Sequence, residues 1–308
     1  MDPLSCLTLL ILDLRYKNNM ANVTVVIPAK NEAISLGGIL SGISDLYPDY
    51  EIIVVNDGST DNTSDICKQY SVKEICNPYS KGNGAAIKSG ARAAKGDILV
   101  FMDGDGQHQP KDISALLEKL YSGYDMVVGA RQGASSQANI ARGLGNKIYN
   151  RLASWMVGHE IEDLTSGFRA VRARRFREFL YLYPNGFSYP TTSTMAFFRA
   201  GYSVTYHPII ALKRDGKSHI NFFRDGVRFL LIIFKVGTLY SPLKLFLPIA
   251  LGHFITGGVY YCYTLYEFHR FTNMSALLFT TSVLIFLIGL VSEQITSLIY
   301  AKTDSGQK

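Results

Sequence analysis

Asp97-Ile-Leu-Val-Phe-Met-Asp103-Gly104-Asp105-Gly106-Gln107 runs an apolar segment straight into two carboxylates set one residue apart. The first six residues predict a buried strand, and the Gly-rich acidic end predicts a loop where that strand leaves the sheet. The same alternation continues on both sides. Strands are predicted over Val23–Ile27, Glu51–Val55, Glu74–Cys76 and Asp125–Gly129. Helices are predicted over Ser35–Ser44, Thr60–Tyr70 with a Thr or Asp cap, Lys88–Ala94 and Asp112–Tyr121. Strands alternating with helices imply right-handed crossovers and an α/β fold with a mainly parallel sheet. Ligands of such sheets bind beyond the carboxyl ends of the strands, where Asp57, Asp103 and Gly129 fall.

The composition changes further along the chain. Hydrophobic residues make up 47% of the 308 residues and charged ones 18%, and the apolar excess lies mostly after about residue 220. Residues 219–240 mix Phe222, Phe223 and Phe229 with Arg224, Arg228 and Lys235, the pattern of amphipathic helices at a bilayer surface. Leu245–Leu265 and Phe271–Ser292 carry no formal charge and are long enough to span a membrane, the second reaching Glu293 near its end. Arg224, Arg228, Lys235 and Lys244 precede the first span, and Lys302 and Lys308 follow the second. That bias places both flanks and the domain before them in the cytoplasm.

The expected organisation is an N-terminal extension (1–21), a catalytic domain (22–218), amphipathic interface helices (219–243), a two-span anchor (244–300) and a cytoplasmic tail (301–308). Leu7–Leu12 lacks a preceding basic residue and a cleavage site, so it reads as a short extension, and Met20 is an alternative start. The net charge of +6 comes without a basic run, zinc-finger spacing or recognition-helix pattern, which speaks against nucleic acid. Cys6, Cys67, Cys76 and Cys262 are scattered, which disfavours a disulfide framework or a zinc site. No GxGxxG follows the first strand, and no GxxxxGK[ST] occurs.

Two carboxylates at a strand end can share a hard divalent cation with a diphosphate, although acidic pairs are also common in solvated loops. Further motifs appear in order: Pro28-Ala-Lys-Asn31-Glu32, Val55-Asn-Asp57-Gly-Ser-Thr-Asp61, Lys81-Gly-Asn-Gly84-Ala85, and Asp103-Gly-Asp105-Gly-Gln107-His-Gln-Pro110. They are followed by Val128-Gly-Ala-Arg131, Asp163-Leu-Thr-Ser-Gly-Phe-Arg169 and Arg214-Asp-Gly-Lys-Ser218. Together they resemble the inverting A-fold glycosyltransferases of family two. Within that family they resemble the polyprenyl-phosphate glycosyltransferases of the dolichyl-phosphate mannose or glucose synthase group.

The resemblance covers roughly residues 22–240 and implies roles. Pro28 and Glu32 border the nucleoside, Asp57 accepts hydrogen bonds from the base, and Lys81 and Gly84 lie near the nucleotide. Asp103, with Gly104 beside it, Asp105 and Gln107 surround Mg²⁺ or Mn²⁺. Arg131 and Arg142 hold the acceptor phosphate, and Arg214 and Ser218 close over the donor diphosphate. Asp163 orients the acceptor or takes a proton; capping the following turn is an equal alternative, as a surface ion pair is for Arg142. Lys30 and His219 depart from the family pattern, where tyrosine and lysine are frequent. The implied partners are a nucleotide-sugar (UDP- before GDP-), polyprenyl phosphate and a membrane, and a homo-oligomer is compatible. A membrane polysaccharide synthase would need QxxRW, whereas Trp155 stands in Arg151-Leu-Ala-Ser-Trp. A non-catalytic nucleotide-binding scaffold is the other alternative.

Overall fold

The computed structural model describes residues 22–132, 140–186, 189–212, 234 and 237–305, with the side chains of 140–146 and 302–305 outside that description. In chain order the elements begin β1 (Val23–Ala29), α1 (Ala33–Leu46), β2 (Glu51–Asn56), α2 (Thr63–Gln69) and β3 (Lys73–Cys76). Next come α3 (Asn83–Ala93), β4 (Ile98–Phe101), a 3-10 turn at Pro110–Asp112, α4 (Ile113–Tyr121) and β5 (Met126–Gln132). The chain continues with α5 (Ile140–Val157), β6 (Arg169–Arg172), α6 (Ala173–Glu178), α7 (Tyr189–Arg199) and β7 (Val204–Ile210). It closes with α8 (Pro242–Phe268) and α9 (Asn273–Ser305). The described residues fall into two compact units. One takes the described parts of Met1–Ser135, Ser166–Tyr189 and Val204–Arg214, and the other those of Ser136–Thr165, Pro190–Ser203 and Asp215–Lys308.

In the first unit the strands form a seven-stranded sheet, in the order β3-β2-β1-β4-β6-β5-β7. β1, β2, β3 and β4 run parallel, as do β5 and β7, while β6 is antiparallel to both its neighbours. Every residue of β1 and β4 is buried, as a strand covered on both faces requires. Helix α1 buries Leu36, Ile39, Leu40 and Ile43, an i, i+3, i+4, i+7 stripe that packs into the same core as Val25, Ile27 and Val100. Truncating one of them, as in Leu40→Ala, would cost about 2–5 kcal/mol.

The reversed strand positions the site. Register pairs Phe101 with Arg169, so two residues further on Gly167 comes opposite Asp103. An antiparallel strand thus begins where the parallel strands end.

The second unit contains α5, α7 from Pro190 onward, and the α8–α9 hairpin. The two hairpin helices are long and apolar enough to cross a membrane, and only 11% and 17% of their most apolar windows are buried. A core helix of a soluble protein would be mostly covered. The hairpin closes on small residues: Gly257 faces Leu278 and Phe279, Gly289 faces Phe246, and Ser282 Oγ donates to the Ala250 carbonyl at 2.8 Å. Its base is polar. Arg199 pairs with Glu293 at 2.7 Å, Glu293 accepts from the Leu243 amide at 3.3 Å, and Lys244 Nζ donates to the Met156 carbonyl at 2.9 Å.

Several boundaries differ from the sequence-based expectation. Helix α2 begins at Thr63 after Asn62, whose side chain makes no capping bond, and the Asp61 carboxylate instead accepts from the Thr63 amide at 3.1 Å. Helix α3 begins five residues earlier than expected, at Asn83. Helix α9 runs to Ser305, a little past the expected anchor end at residue 300, with Glu293 bonded at the hairpin base. The expected amphipathic helices fall on residues 219–243, of which 219–233, 235 and 236 lie outside the described residues, as do the extension 1–21 and residues 306–308.

Candidate active site

β1, β2 and β4 release their loops at one edge of the sheet, and side chain to main chain bonds tie those loops together. Asn31, at φ 57°, is held in the left-handed region by its neighbours. Its amide donates to Ser59 Oγ at 3.0 Å, and its Oδ1 accepts from the Thr60 amide at 2.8 Å. The Ala33 amide donates to Asp61 at 3.1 Å. Pro28, the sixth residue of β1, is buried, and a Cβ on Gly104 would lie 3.2 Å from its carbonyl oxygen. Ser35 Oγ donates to the Gly104 carbonyl at 2.6 Å. Glu32 sits just before α1.

Asp57 follows β2 and is 4% exposed. Its Oδ1 accepts from Asn77 Nδ2 at 2.9 Å and the Lys81 amide at 2.8 Å. Its Oδ2 accepts from Ser80 Oγ at 2.7 Å and the Gly82 amide at 2.8 Å. A carboxylate oxygen has room for about two such bonds. Burial alone would raise this carboxyl, but the Lys81 amide, Ser80, Asn77 and the Gly82 amide outweigh it and hold the group below the usual carboxylate range. Asp57 therefore fixes the loop that carries Lys81. Gly84 also has an internal reason to be glycine: its Cβ would collide with the Pro184 carbonyl, and its amide donates to the Gly186 carbonyl at 3.1 Å.

Asp103 and Asp105 follow β4. Burial raises the Asp103 carboxyl above its usual range; the charge of His108 opposes this, Asp105 adds to it, and the Asn83 side chain and Arg131 lower it in part. Asn83 thus gives its amide to Asp103, and its Oδ1 is buried without a hydrogen-bond partner among the described residues. Asp105 Oδ1 accepts from the Gln107 amide at 3.2 Å. Gln107 is tied at both ends to Leu212: the Leu212 amide donates to its carbonyl at 2.9 Å, and its Nε2 donates to the Leu212 carbonyl at 3.4 Å. That leaves Gln107 Oε1 as the end available to a cation or water. Among the described residues no three His, Cys, Asp or Glu side chains cluster as a self-sufficient metal site. A pair of carboxylates suits an ion that completes its shell from phosphate and water.

The structure brings Asp103, Asp105, Gln107 and Gly104 together, places Pro28 against Gly104, and places Lys81 against Asp57. Arg131 is exposed at the end of β5, close enough to influence Asp103. Asp163 belongs to the other unit, where its Oδ1 accepts from the Thr165 amide at 3.1 Å and Thr165 Oγ1 at 3.2 Å, capping the turn. Arg142 lies in α5, with its side chain outside the described residues, and Arg214 and Ser218 lie wholly outside them.

Sequence reasoning missed several neighbours of this site. His108, 6% exposed, stacks on Phe168 with ring centroids 5.0 Å apart. Gly167 approaches so closely that its Cβ would lie 2.6 Å from Asp103 Oδ2. Arg169 and Tyr189 are fully buried behind it. Burial, then the charge of Asp103, pushes the Tyr189 phenol upward against the opposing Arg169, so it stays a donor. His108 follows the acidic motif directly, a signal that could have been used; nothing local marks the burial of Arg169.

The profile of glycosyl transferase family 2 matches residues 24–180, and that of the GtrB C-terminal hairpin matches residues 241–298. The chain belongs to glycosyl transferase family 2 and is a glycosyltransferase of the A-type fold. It is 27% identical over 293 residues to glycosyltransferase AglJ of Haloferax volcanii, covering 90% of this chain and 94% of that protein. It is 30% identical to the undecaprenyl-phosphate mannosyltransferase of Micrococcus luteus, covering 63% of this chain and 84% of that one. In three dimensions it resembles the glucosyl-3-phosphoglycerate synthase of Mycobacterium tuberculosis, solved with Mn²⁺, UDP and phosphoglyceric acid. The TM-score is 0.59 at 20% identity, covering 74% of this chain and 81% of that one. That likeness supports the fold.

Proposed function

We propose that the chain transfers a sugar from a nucleotide diphosphate-sugar, UDP-linked before GDP-linked, to undecaprenyl or dolichyl phosphate. The observation that carries this reading is the acidic pair ending β4 of a family 2 fold whose chain continues into an apolar hairpin. Relatives named as polyprenyl-phosphate sugar transferases support the acceptor. Residues 22–218 are the catalytic part, 219–243 rest on the bilayer surface, 244–300 anchor it, and 301–308 return to the cytoplasm. Basic residues before the first span and after the second favour that orientation.

In the reaction, an acceptor phosphate oxygen attacks the anomeric carbon as the carbon–oxygen bond to the diphosphate breaks. The configuration inverts and the nucleoside diphosphate leaves. A phosphate monoester has a second pKa of about 6, so the attacking oxygen is already largely deprotonated at neutral pH. Arg131 and Arg142 supply planar forks for that phosphate, and Asp163 either orients it or serves only to cap its own turn through Thr165. Pro28, Glu32, Lys81 and Gly84 line the nucleoside, with Asp57 holding the loop that carries Lys81, and Arg214 and Ser218 cover the diphosphate. Asp103, Asp105 and Gln107 fit a Mg²⁺ or Mn²⁺ ion: two carboxylates, Gln107 Oε1 and Asn83 Oδ1, which has no hydrogen-bond partner among the described residues, offer only oxygens. Such an ion would neutralise charge on the departing diphosphate.

The test incubates purified protein, Mn²⁺ and undecaprenyl phosphate with radiolabelled UDP- and GDP-sugars in turn. One donor is expected to carry label into the organic phase as an acid-labile sugar phosphate. Nucleotide binding without transfer from any donor would contradict the assignment.

A further inference from the structure

We propose that Tyr189, working with Arg169, is a positioning residue for Asp103, acting by holding the Ser166–Gly167 backbone flush against that carboxylate. This rests on Asp103 being the cation post of the proposed reaction.

The geometry begins with the reversed strand. Because β6 is antiparallel to β4, the turn that enters it, Ser166–Phe168, crosses the end of β4 where the acidic loop begins. Gly167 packs on Asp103 with no room for a side chain: an added Cβ would lie 2.6 Å from Oδ2 and 3.2 Å from Oδ1. Such a contact between a backbone and a carboxylate is favoured when the neighbouring carbonyl oxygens are held by other donors. Here both are engaged. Tyr189 Oη donates to the Gly167 carbonyl at 3.1 Å, and Arg169 Nη2 donates to the Ser166 carbonyl.

The two donors brace each other. The Arg169 guanidinium lies over the Tyr189 ring at 5.8 Å, and the Phe101 ring meets that ring edge-on at 6.2 Å. All of these side chains are fully buried, so water cannot take over a lost bond without a cavity. Without the tyrosine hydroxyl, the Gly167 carbonyl would need a new donor. The peptide would then be free to rotate and press on Asp103, or to offer its own oxygen in the place where the cation shell must form. The effect belongs to cation binding rather than to folding as a whole.

The experiment uses the full chain in detergent and measures Mn²⁺ binding with UDP present, from the loss of the free-Mn²⁺ EPR signal. Melting temperature is measured alongside. Tyr189→Phe removes a single hydroxyl and keeps the ring. The apparent Mn²⁺ dissociation constant is expected to rise about fivefold, the equivalent of one hydrogen bond. Saturating Mn²⁺ is expected to restore binding. Tyr183→Phe is the control: that hydroxyl is also buried and donates to a backbone carbonyl, that of Phe176 at 3.4 Å, away from Asp103. It is expected to lower the melting temperature to a similar extent with no change in Mn²⁺ affinity. Gly167→Ala approaches the same contact from the other side and is expected to weaken Mn²⁺ more than Tyr189→Phe does. Wild-type affinity in Tyr189→Phe, or an equal loss in Tyr183→Phe, would overturn the positioning role. A wild-type protein that binds UDP without taking up Mn²⁺ would overturn the cation post itself.

Discussion

Asp57 and Asp103 stand just beyond two parallel strands that flank β1, yet their surroundings differ. Asp57 receives four hydrogen bonds and its carboxyl is held below the usual range. Asp103 is desolvated beside a second carboxylate and its carboxyl is raised. A carboxylate saturated by its own chain builds structure. One that is desolvated, with its charged form disfavoured and oxygen donors around it, is stabilised when a cation arrives. The same residue type at equivalent ends of one sheet therefore serves two purposes, and the neighbours decide which.

The largest effect is expected where the comparison bears on chemistry. Asp103→Asn should cut sugar transfer by about 10²–10³-fold, the scale of losing one charge-stabilising group. It should melt no lower than wild type in metal-free buffer, because it removes a desolvated charge. A variant that failed to fold would erase the distinction.

Gly84→Ala comes next. The added methyl meets the Pro184 carbonyl in the strap that covers the start of α3, and about 2–3 kcal/mol of stability should be lost, read from denaturant unfolding. Full stability would mean that the strap yields and does not hold the Asp57 loop rigidly.

Asp57→Asn should cost about 1–3 kcal/mol, because an amide cannot accept at both ends. The sign with pH follows from the lowered folded pKa. The stabilising contribution is complete above the unfolded value of about 3.9 and is lost as pH falls through the lower folded value. The gap in melting temperature between wild type and variant should therefore narrow on acidification from about pH 6 towards pH 3. A gap that widened would mean that Asp57 is not held ionised by its donors.

The smallest effect is expected at a third carboxylate, Glu293, paired with Arg199 at the hairpin base but partly exposed. Arg199→Ala should cost no more than about 1 kcal/mol and the loss should shrink in high salt, as thermal melts at two ionic strengths would show. A large salt-independent loss would place this pair with the buried networks.

Much of this was legible in the sequence, for physical reasons. β1, β2 and β4 are β-branched or aromatic runs buried on both faces, and the hairpin is two long uncharged stretches, so periodicity and length marked them directly. β6 and β7 were not read. β6 is four residues with an arginine at each end, one of them fully buried, and no pattern marks a charged residue for the interior. β7 contains His207 and Pro208; it is an edge strand, where a missing ladder donor is tolerated. The acidic motif itself stood out, but its supports did not. Gly167 reaches Asp103 through the antiparallel register with β4, a long-range pairing that local propensity does not encode.

The most direct test of the central claim is calorimetric titration of UDP into wild type, Asp57→Asn and Asp103→Asn, each with and without Mn²⁺. Wild type and folded Asp57→Asn are expected to bind UDP more tightly when Mn²⁺ is present, whereas Asp103→Asn should bind equally with or without the ion. Undiminished Mn²⁺-enhanced binding in Asp103→Asn would contradict the assignment of the β4 carboxylate as the cation post.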